Sequence, residues 1–201
     1  MGKERFSTKQ IAFTAMFAAL ILMATYVIKI PTPVIGYIHV GDCFVLLAGI
    51  FLGPVPGALA AGIGSGLADL LGGFPVWAPG TFAIKFVTAL VAAGIYRVIQ
   101  SRGKHGFVQE DESGGQLKIG ERNHKSSAVI LAGIPAEVIM VAGYFFYNVL
   151  ILSLANQGLN GTSLASALTA SAAEIPFNVI QGAAGVVLAV LLRPLFSKLK
   201  R

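Results

Sequence analysis

Six apolar stretches follow one another along this 201-residue chain, at about 9–29, 40–53, 56–72, 80–100, 126–154 and 172–195. A helix crossing the hydrocarbon core of a bilayer needs about 20 predominantly apolar residues, so most of these stretches have the length and character of membrane spans. Composition points the same way. The chain is 55% hydrophobic and 12% charged, against about 25% charged residues in ordinary soluble domains. Its 24 glycines suit helices that approach closely in lipid. The sequence predicts an all-α integral membrane protein, a single domain over 1–201 built as a six-transmembrane-helix bundle. Lys3, Arg5 and Lys9 precede the first apolar run as they would in a signal peptide. The run from Ile11 to Ile28 exceeds the usual signal core of about 7–15 residues and further spans follow it, so it reads as an uncleaved first helix.

The basic residues orient the bundle. Lys3, Arg5 and Lys9 precede helix one; Arg97, Arg102, Lys104, Lys118, Arg122 and Lys125 flank the long polar segment; Arg193, Lys198, Lys200 and Arg201 close the chain. Only Lys29 and Lys85, of 15 Lys and Arg, lie elsewhere. By the positive-inside rule both termini and the loop 101–125 face the cytoplasm, an N-in/C-in arrangement. The net charge of +6 is therefore read as membrane topology rather than nucleic-acid binding. The loop, with its "EDE" and Gly-Gly stretches, reads as a solvated linker. Cys43 is the single cysteine, which excludes an internal disulfide and a cysteine-based zinc site. Two of the three histidines, His105 and His124, fall in the cytoplasmic loop, away from His39, so no metal trio is expected in one pocket. No GxxxxGK[ST] phosphate loop is present, so no ATPase of the chain's own is expected. Neither a catalytic constellation nor a cofactor is expected.

An ionisable residue inside a membrane segment is costly and marks a candidate functional site. Asp42, Asp69, Lys85, Glu137 and Glu174 qualify, and under the predicted topology all but Glu137 lie toward the outer side. Residues three, four and seven apart share a helix face. Glu174, Asn178 and Gln181 form one such stripe, Thr81, Lys85 and Thr88 a second, and Tyr144, Tyr147 and Asn148 a third, with Glu137 seven residues before Tyr144. With Trp77 near the mouth, and with His39 and Asp42 at the start of helix two, these stripes outline an outward pocket of aromatic walls and polar anchors, the ordinary form of a small-molecule site. The candidate substrate-binding residues are thus Lys85, Tyr144, Tyr147, Asn148, Glu174, Asn178, Gln181, Trp77, Thr81, His39 and Asp42. Structural readings stand beside these. Lys85 can pair with Glu174 or Glu137, the tyrosines and Trp77 can be interfacial anchors, His39 and Asp42 can cap helix two, and Asp69 reads as structural. Pro176 is placed in the first turn of helix six, where its missing N–H costs little. Ala12, Ala15 and Ala19 form a small-residue face on helix one, suited either to packing within the chain or to docking another membrane subunit.

The Ala15–Ala19 pair, the stretches "IHVGDCFVLLAGIFLGPVPGALAAG" and "WAPGTFAIK", and "IPFNVIQ" together resemble the S component of energy-coupling factor (ECF) transporters, in its riboflavin-type branch. The resemblance spans nearly the whole chain. It implies a substrate-binding subunit in a cell membrane, expected to be a bacterial plasma membrane, with a first loop, Lys29 to Tyr37, acting as a gate. It implies docking through the AxxxA face onto a transmembrane coupling subunit that works with two ABC ATPases. Capture would be at high affinity, and release inside would follow toppling of the subunit. The implied substrate is a small water-soluble vitamin or precursor. A carboxylate such as Glu174 suits the ring N–H or amino donors of hydroxymethylpyrimidine or pyridoxine, riboflavin remains open, and a cationic Lys85 would suit the carboxylate of pantothenate. A stand-alone small-solute facilitator or carrier is the remaining alternative.

Overall fold

The computed structural model describes residues 7–32, 36–103, 121–155 and 161–199. Most of the loop 101–125, with Lys104 and Lys118, lies outside the described residues, as do Lys3, Arg5, Lys200 and Arg201 among the basic residues that orient the bundle. Six helices are described: α1 (Thr8–Val27), α2 (Asp42–Leu52), α3 (Pro54–Leu71), α4 (Ala78–Gly103), α5 (Glu121–Ala155) and α6 (Gly161–Leu199). Five of them are long and apolar enough to cross a membrane; α2, at 11 residues, is not. Large apolar side chains such as Val138, Phe146 and Leu191 are each more than 60% exposed, a surface that hydrocarbon solvates and water does not.

α2 is the axis of the bundle. It packs against α1, α3, α4 and α6, while α3 bridges α1 and α4, and α5 bridges α4 and α6. Val45, Leu46, Leu47 and Ala48 of α2 are fully buried. α1 and α6 meet beside α2, where Phe17 of α1 and Phe196 of α6 have centroids 5.3 Å apart and Phe196 also packs on Phe44 and Phe51 of α2. At about 1.5 Å per residue α2 spans only about 16 Å, so its N-terminus stops well short of the ends of its neighbours. That recess is the space in which the polar site forms.

Local chemistry sets the element ends. Ser7 caps α1 by accepting the Gln10 N–H at 3.2 Å. Gly53 ends α2 at φ 94°, a left-handed conformation that glycine adopts without strain, and Pro54 then starts α3 where its missing N–H is harmless. α1 is followed by a two-stranded antiparallel hairpin, β1 (Ile30–Pro31) and β2 (Tyr37–Ile38), with Ile30 opposite Ile38 and Pro31 opposite Tyr37. The Thr32 N–H donates to the Gly36 carbonyl at 2.9 Å, and the Gly36 N–H donates to Thr32 Oγ1 at 2.9 Å.

One boundary differs substantially from the sequence expectation. Helix six, expected from about 172, begins at Gly161, so "GTSLASALTAS" is helix rather than loop. Three of its hydroxyls bond locally: Ser166 and Thr169 donate to the Ser163 and Ala165 carbonyls, both at 2.9 Å, and Ser163 donates to the Ser153 carbonyl of α5 at 3.0 Å. A 39-residue helix is about 58 Å long, far more than the roughly 30 Å of bilayer core, so its Ser/Thr-rich first turns do not require lipid. Pro176 consequently lies inside α6 and not in its first turn. There it removes the backbone bond to the residue four before it.

Helices α2 and α3 cross at van der Waals contact of their backbones. A Cβ on Gly57 would sit 2.5 Å from the Ala48 carbonyl oxygen and 2.7 Å from Gly49 Cα, so only glycine fits. Gly57→Val is expected to cost about 1–3 kcal/mol through overpacking, read as a lowered melting midpoint in detergent. Gly94→Ala, with nothing within 4 Å of the added carbon, is expected to leave the midpoint unchanged or raise it.

Candidate functional site

At the recessed end of α2 the chain forms a half-open cavity of about 60 Å³. The hairpin contributes Gly36 and Tyr37, and His39 follows it. α3 contributes Asp69, the α3–α4 connection Phe74 and Trp77, α4 Thr81, α5 Tyr144 and Asn148, and α6 Glu174, Asn178 and Gln181. Of the residues singled out in the sequence, Trp77, Thr81, His39, Tyr144, Asn148, Glu174, Asn178 and Gln181 thus line one space. Lys85, Asp42 and Tyr147 do not.

Lys85 is fully buried behind the cavity and forms its salt bridge with Asp42, also fully buried. Asp42, and not the Glu174 or Glu137 that the structural reading of the sequence offered as partners, is its counter-ion. The reason is geometric: α2 is short and central, so its first-turn carboxylate arrives at the depth of Lys85. Asp42 Oδ2 also accepts from Gln181 Nε2 at 2.7 Å. Gln181 Oε1 in turn accepts the His39 backbone N–H at 3.0 Å. One polar chain, Lys85–Asp42–Gln181–His39, therefore forms the rear wall and fixes the Gln181 amide. Lys85 also lies 5.2 Å from the centroid of the Tyr144 ring, within cation–π range. Tyr147, expected at the site, instead donates to the Val76 carbonyl at 2.7 Å. Its ring lies against Gly80 and ties α5 to the start of α4.

The mouth is tied down by the two carboxylates that face the cavity. Thr32 Oγ1 donates to Glu174 Oε1 at 2.8 Å, and the Tyr37 hydroxyl donates to Asp69 Oδ1 at 2.5 Å. The Tyr144 hydroxyl donates to Thr81 Oγ1 at 3.3 Å, and Thr81 bonds Asp69. Trp77 Nε1 donates to Asn148 Oδ1 at 3.0 Å, holding both at the rim. Lys29 packs its ammonium on three rings, 4.9 Å from Tyr26, 4.6 Å from Tyr37 and 5.6 Å from Phe74, and so clamps the hairpin to the α3–α4 connection. Burial and the neighbouring Asp69 push the Tyr37 hydroxyl pKa up, so it stays a donor.

Tyr37 and Phe74 were not among the candidates, and Asp69, one of the costly ionisable residues, was left out of the substrate-binding set. Asp69 was read as structural because it sits near a helix end, yet that end is the one at the cavity. Tyr37 and His39, two apart and thus on one side of an extended strand, and Phe74 with Trp77 in "GGFPVWAPG", were the signals available. No group of three His, Cys, Asp or Glu among the described residues is arranged to hold a metal ion.

His39 supplies a fixed donor. Its Nδ1 accepts the Gly41 N–H at 3.1 Å, which places the ring proton on Nε2. Burial, reinforced by Lys85 and Lys29 against the opposing Asp42, pushes its pKa down to about 4. The unfolded chain, with a pKa of about 6.5, takes up that proton first. His39 therefore contributes stability that is complete above about pH 6.5 and is lost as pH falls toward 4. The melting midpoint in detergent is expected to fall over this window, and the difference between wild type and His39→Gln to shrink across it. A difference that is flat with pH would contradict the assignment.

Comparison with known proteins agrees with this architecture. A solved structure described as the structure and mechanism of the S component of a bacterial ECF transporter superposes with a TM-score of 0.60 at 22% identity, over 96% of this chain and 98% of that one. The S component for biotin from an ECF-type ABC transporter superposes with a TM-score of 0.50 at 17% identity, over 96% and 95%. At those identities the likeness is one of fold. An uncharacterized protein of Pyrococcus woesei is 39% identical over 66 residues, 32% of this chain. This chain spans less than half of that relative, 44% of its length. The model of the family "ECF-type riboflavin transporter, S component" matches residues 5–198, and the chain belongs to that family.

Proposed function

We propose that the chain is the substrate-binding subunit of an ECF transporter and that its cavity captures a flat N-heterocycle, neutral or cationic, rich in N–H donors. The observation that carries this reading is the charge of the lining: Asp69 and Glu174 face the cavity, and among the described residues no ammonium or guanidinium does. Lys85, the one cation that would have favoured a carboxylate-bearing substrate such as pantothenate, is engaged by Asp42. Tyr37, Phe74, Trp77 and Tyr144 supply ring faces, and aromatic walls with a few directed polar groups fit a planar ligand. Hydroxymethylpyrimidine, with its amino group, meets these terms most fully; riboflavin brings one ring N–H with its hydroxyls, and pyridoxine brings hydroxyls and, when its ring is protonated, one N–H.

The membrane arrangement belongs to the same reading: six spans with α2 as a short buried one, both termini cytoplasmic, the cavity open outward and the hairpin as its gate. The proposed partners are a transmembrane coupling subunit and two ABC ATPases. Ala12, Ala15 and Ala19 are exposed on α1, and Ala15 and Ala19 line an apolar groove between α1 and α3. A small-residue face turned away from its own bundle suits close docking of another helix.

Mass spectrometry of ligand co-purified from the source membrane, followed by titration calorimetry with the four vitamins named above, tests the reading. One heterocycle is expected to bind below micromolar, and pantothenate is not expected to bind. Pantothenate as the tight ligand would overturn the charge argument. Glu174→Gln is expected to weaken binding roughly 10- to 100-fold, the worth of about 1.5–3 kcal/mol for a hydrogen bond to a charged group. Ala15→Trp is expected to abolish uptake while leaving affinity intact. Uptake that persists without coupling subunits would point instead to a stand-alone facilitator.

A further inference from the structure

The charged groups that line the cavity, Asp69 and Glu174, are acceptors, and a donor stands with them. His39 lines the same space. Its Nδ1 is occupied by the Gly41 N–H at 3.1 Å, so the ring proton is on Nε2. Nε2 meets no hydrogen-bond partner among the described residues, and it is not one of the buried polar atoms left without a partner. The Nε2–H therefore opens onto the cavity rather than into the protein.

The imidazole is held on several sides. The His39 backbone N–H donates to Gln181 Oε1 at 3.0 Å, and the Gln181 amide is fixed in turn by Asp42 at 2.7 Å. Gly41 is pressed against α1: a Cβ there would collide with Thr25 Oγ1 and come within 3.0 Å of His39 Nδ1. Tyr37 packs beside the ring, with centroids 5.7 Å apart. A donor fixed in both ring and backbone is preorganised, and a site with such a donor selects against any ligand that buries it unpaired. A molecule made only of donors, such as an alkyl guanidinium, suits the two carboxylates but leaves Nε2–H with nothing to accept it. We propose that His39 is a specificity-determining residue whose Nε2–H pairs with an acceptor on the ligand, a ring nitrogen lone pair or a ring carbonyl, so that the substrate is a heterocycle bearing acceptors as well as N–H donors. An aminopyrimidine and a flavin both meet these demands. A pyridine protonated at its nitrogen has no acceptor in its ring and depends on its hydroxyls. The assignment rests on the substrate-binding reading above.

Nitrogen-15 spectra of the purified full chain, labelled at histidine, test it. The chain has three histidines, and His105→Gln with His124→Gln leaves His39 alone in the spectrum without touching the cavity. Riboflavin, hydroxymethylpyrimidine and pyridoxine are titrated in separately. On binding, the Nε2–H proton is expected to move downfield and to exchange more slowly with water, while Nδ1 stays unprotonated. By calorimetry, the heterocycle that binds is expected to bind His39→Asn roughly 3- to 10-fold more weakly, the worth of one neutral hydrogen bond. The asparagine oxygen can still accept the Gly41 N–H as an Asx turn, so this variant keeps the turn and loses only the reach into the cavity. Agmatine, a cation with donors alone, is not expected to bind. A bound heterocycle that leaves the Nε2–H resonance and its exchange unchanged would overturn the assignment and leave the substrate-binding reading standing. Agmatine binding as tightly as the heterocycle would do the same. If none of the three heterocycles binds, both fall.

Discussion

The Lys85–Asp42 ion pair is the constraint around which the rest of this structure is arranged. Both side chains are fully buried, and desolvating two charges costs enough that the pair persists only with good geometry and further hydrogen bonds. Those further bonds dictate the surroundings. Asp42 must begin α2, where the helix terminus and Gln181 can complete its coordination. Gln181 must then face α2, and its remaining oxygen captures the His39 backbone. The position of α6 relative to α2 and the path of the chain out of the hairpin both follow from satisfying one carboxylate.

The same pair explains why α2 is short. Extended outward to the length of its neighbours, α2 would place Asp42 mid-helix, without the helix terminus that favours its charge, and would fill the space above it. Stopping at Asp42 leaves a recess roofed by the hairpin and walled by α3 to α6. Close backbone packing keeps the short helix central: Gly57 lies against Ala48 and Gly49, and Gly49 itself lies against Ala89 of α4. Small residues do here what side-chain interdigitation does in a soluble core.

Much of this was legible in the sequence, because the two signals involved are long-range and periodic. Apolar length gave five of the helices to within a few residues at most ends, and i, i+4, i+7 spacing put Glu174, Asn178 and Gln181 on one face and Tyr144 and Asn148 on another. Residues on different elements were harder. That Lys85 would meet Asp42 depends on how far α2 reaches, which periodicity does not report. That Tyr37 would meet Asp69 depends on how the hairpin folds back over α3. The start of α6 was missed because Ser and Thr normally favour loops. Here the hydroxyls of Ser163, Ser166 and Thr169 bond back to carbonyls of their own helix and of α5, and the segment needs no lipid to be stable.

The carboxylates that face the cavity are also those that hold the hairpin: Glu174 accepts from Thr32 and Asp69 accepts from Tyr37. An ionised carboxylate offers about four acceptor positions, so a ligand donor joins these bonds rather than displacing them. In the proposed function, capture and closure then share acceptors. A ligand bearing N–H groups adds bonds to carboxylates already oriented by the hairpin, and the closed hairpin presents Tyr37 to the ligand. A ligand bearing its own carboxylate meets like charge at both anchor points, and Lys85 cannot compensate from behind Gln181. Placing the cation in the rear wall and the anions at the mouth thus makes selection against acids and closure over N–H donors consequences of one charge arrangement.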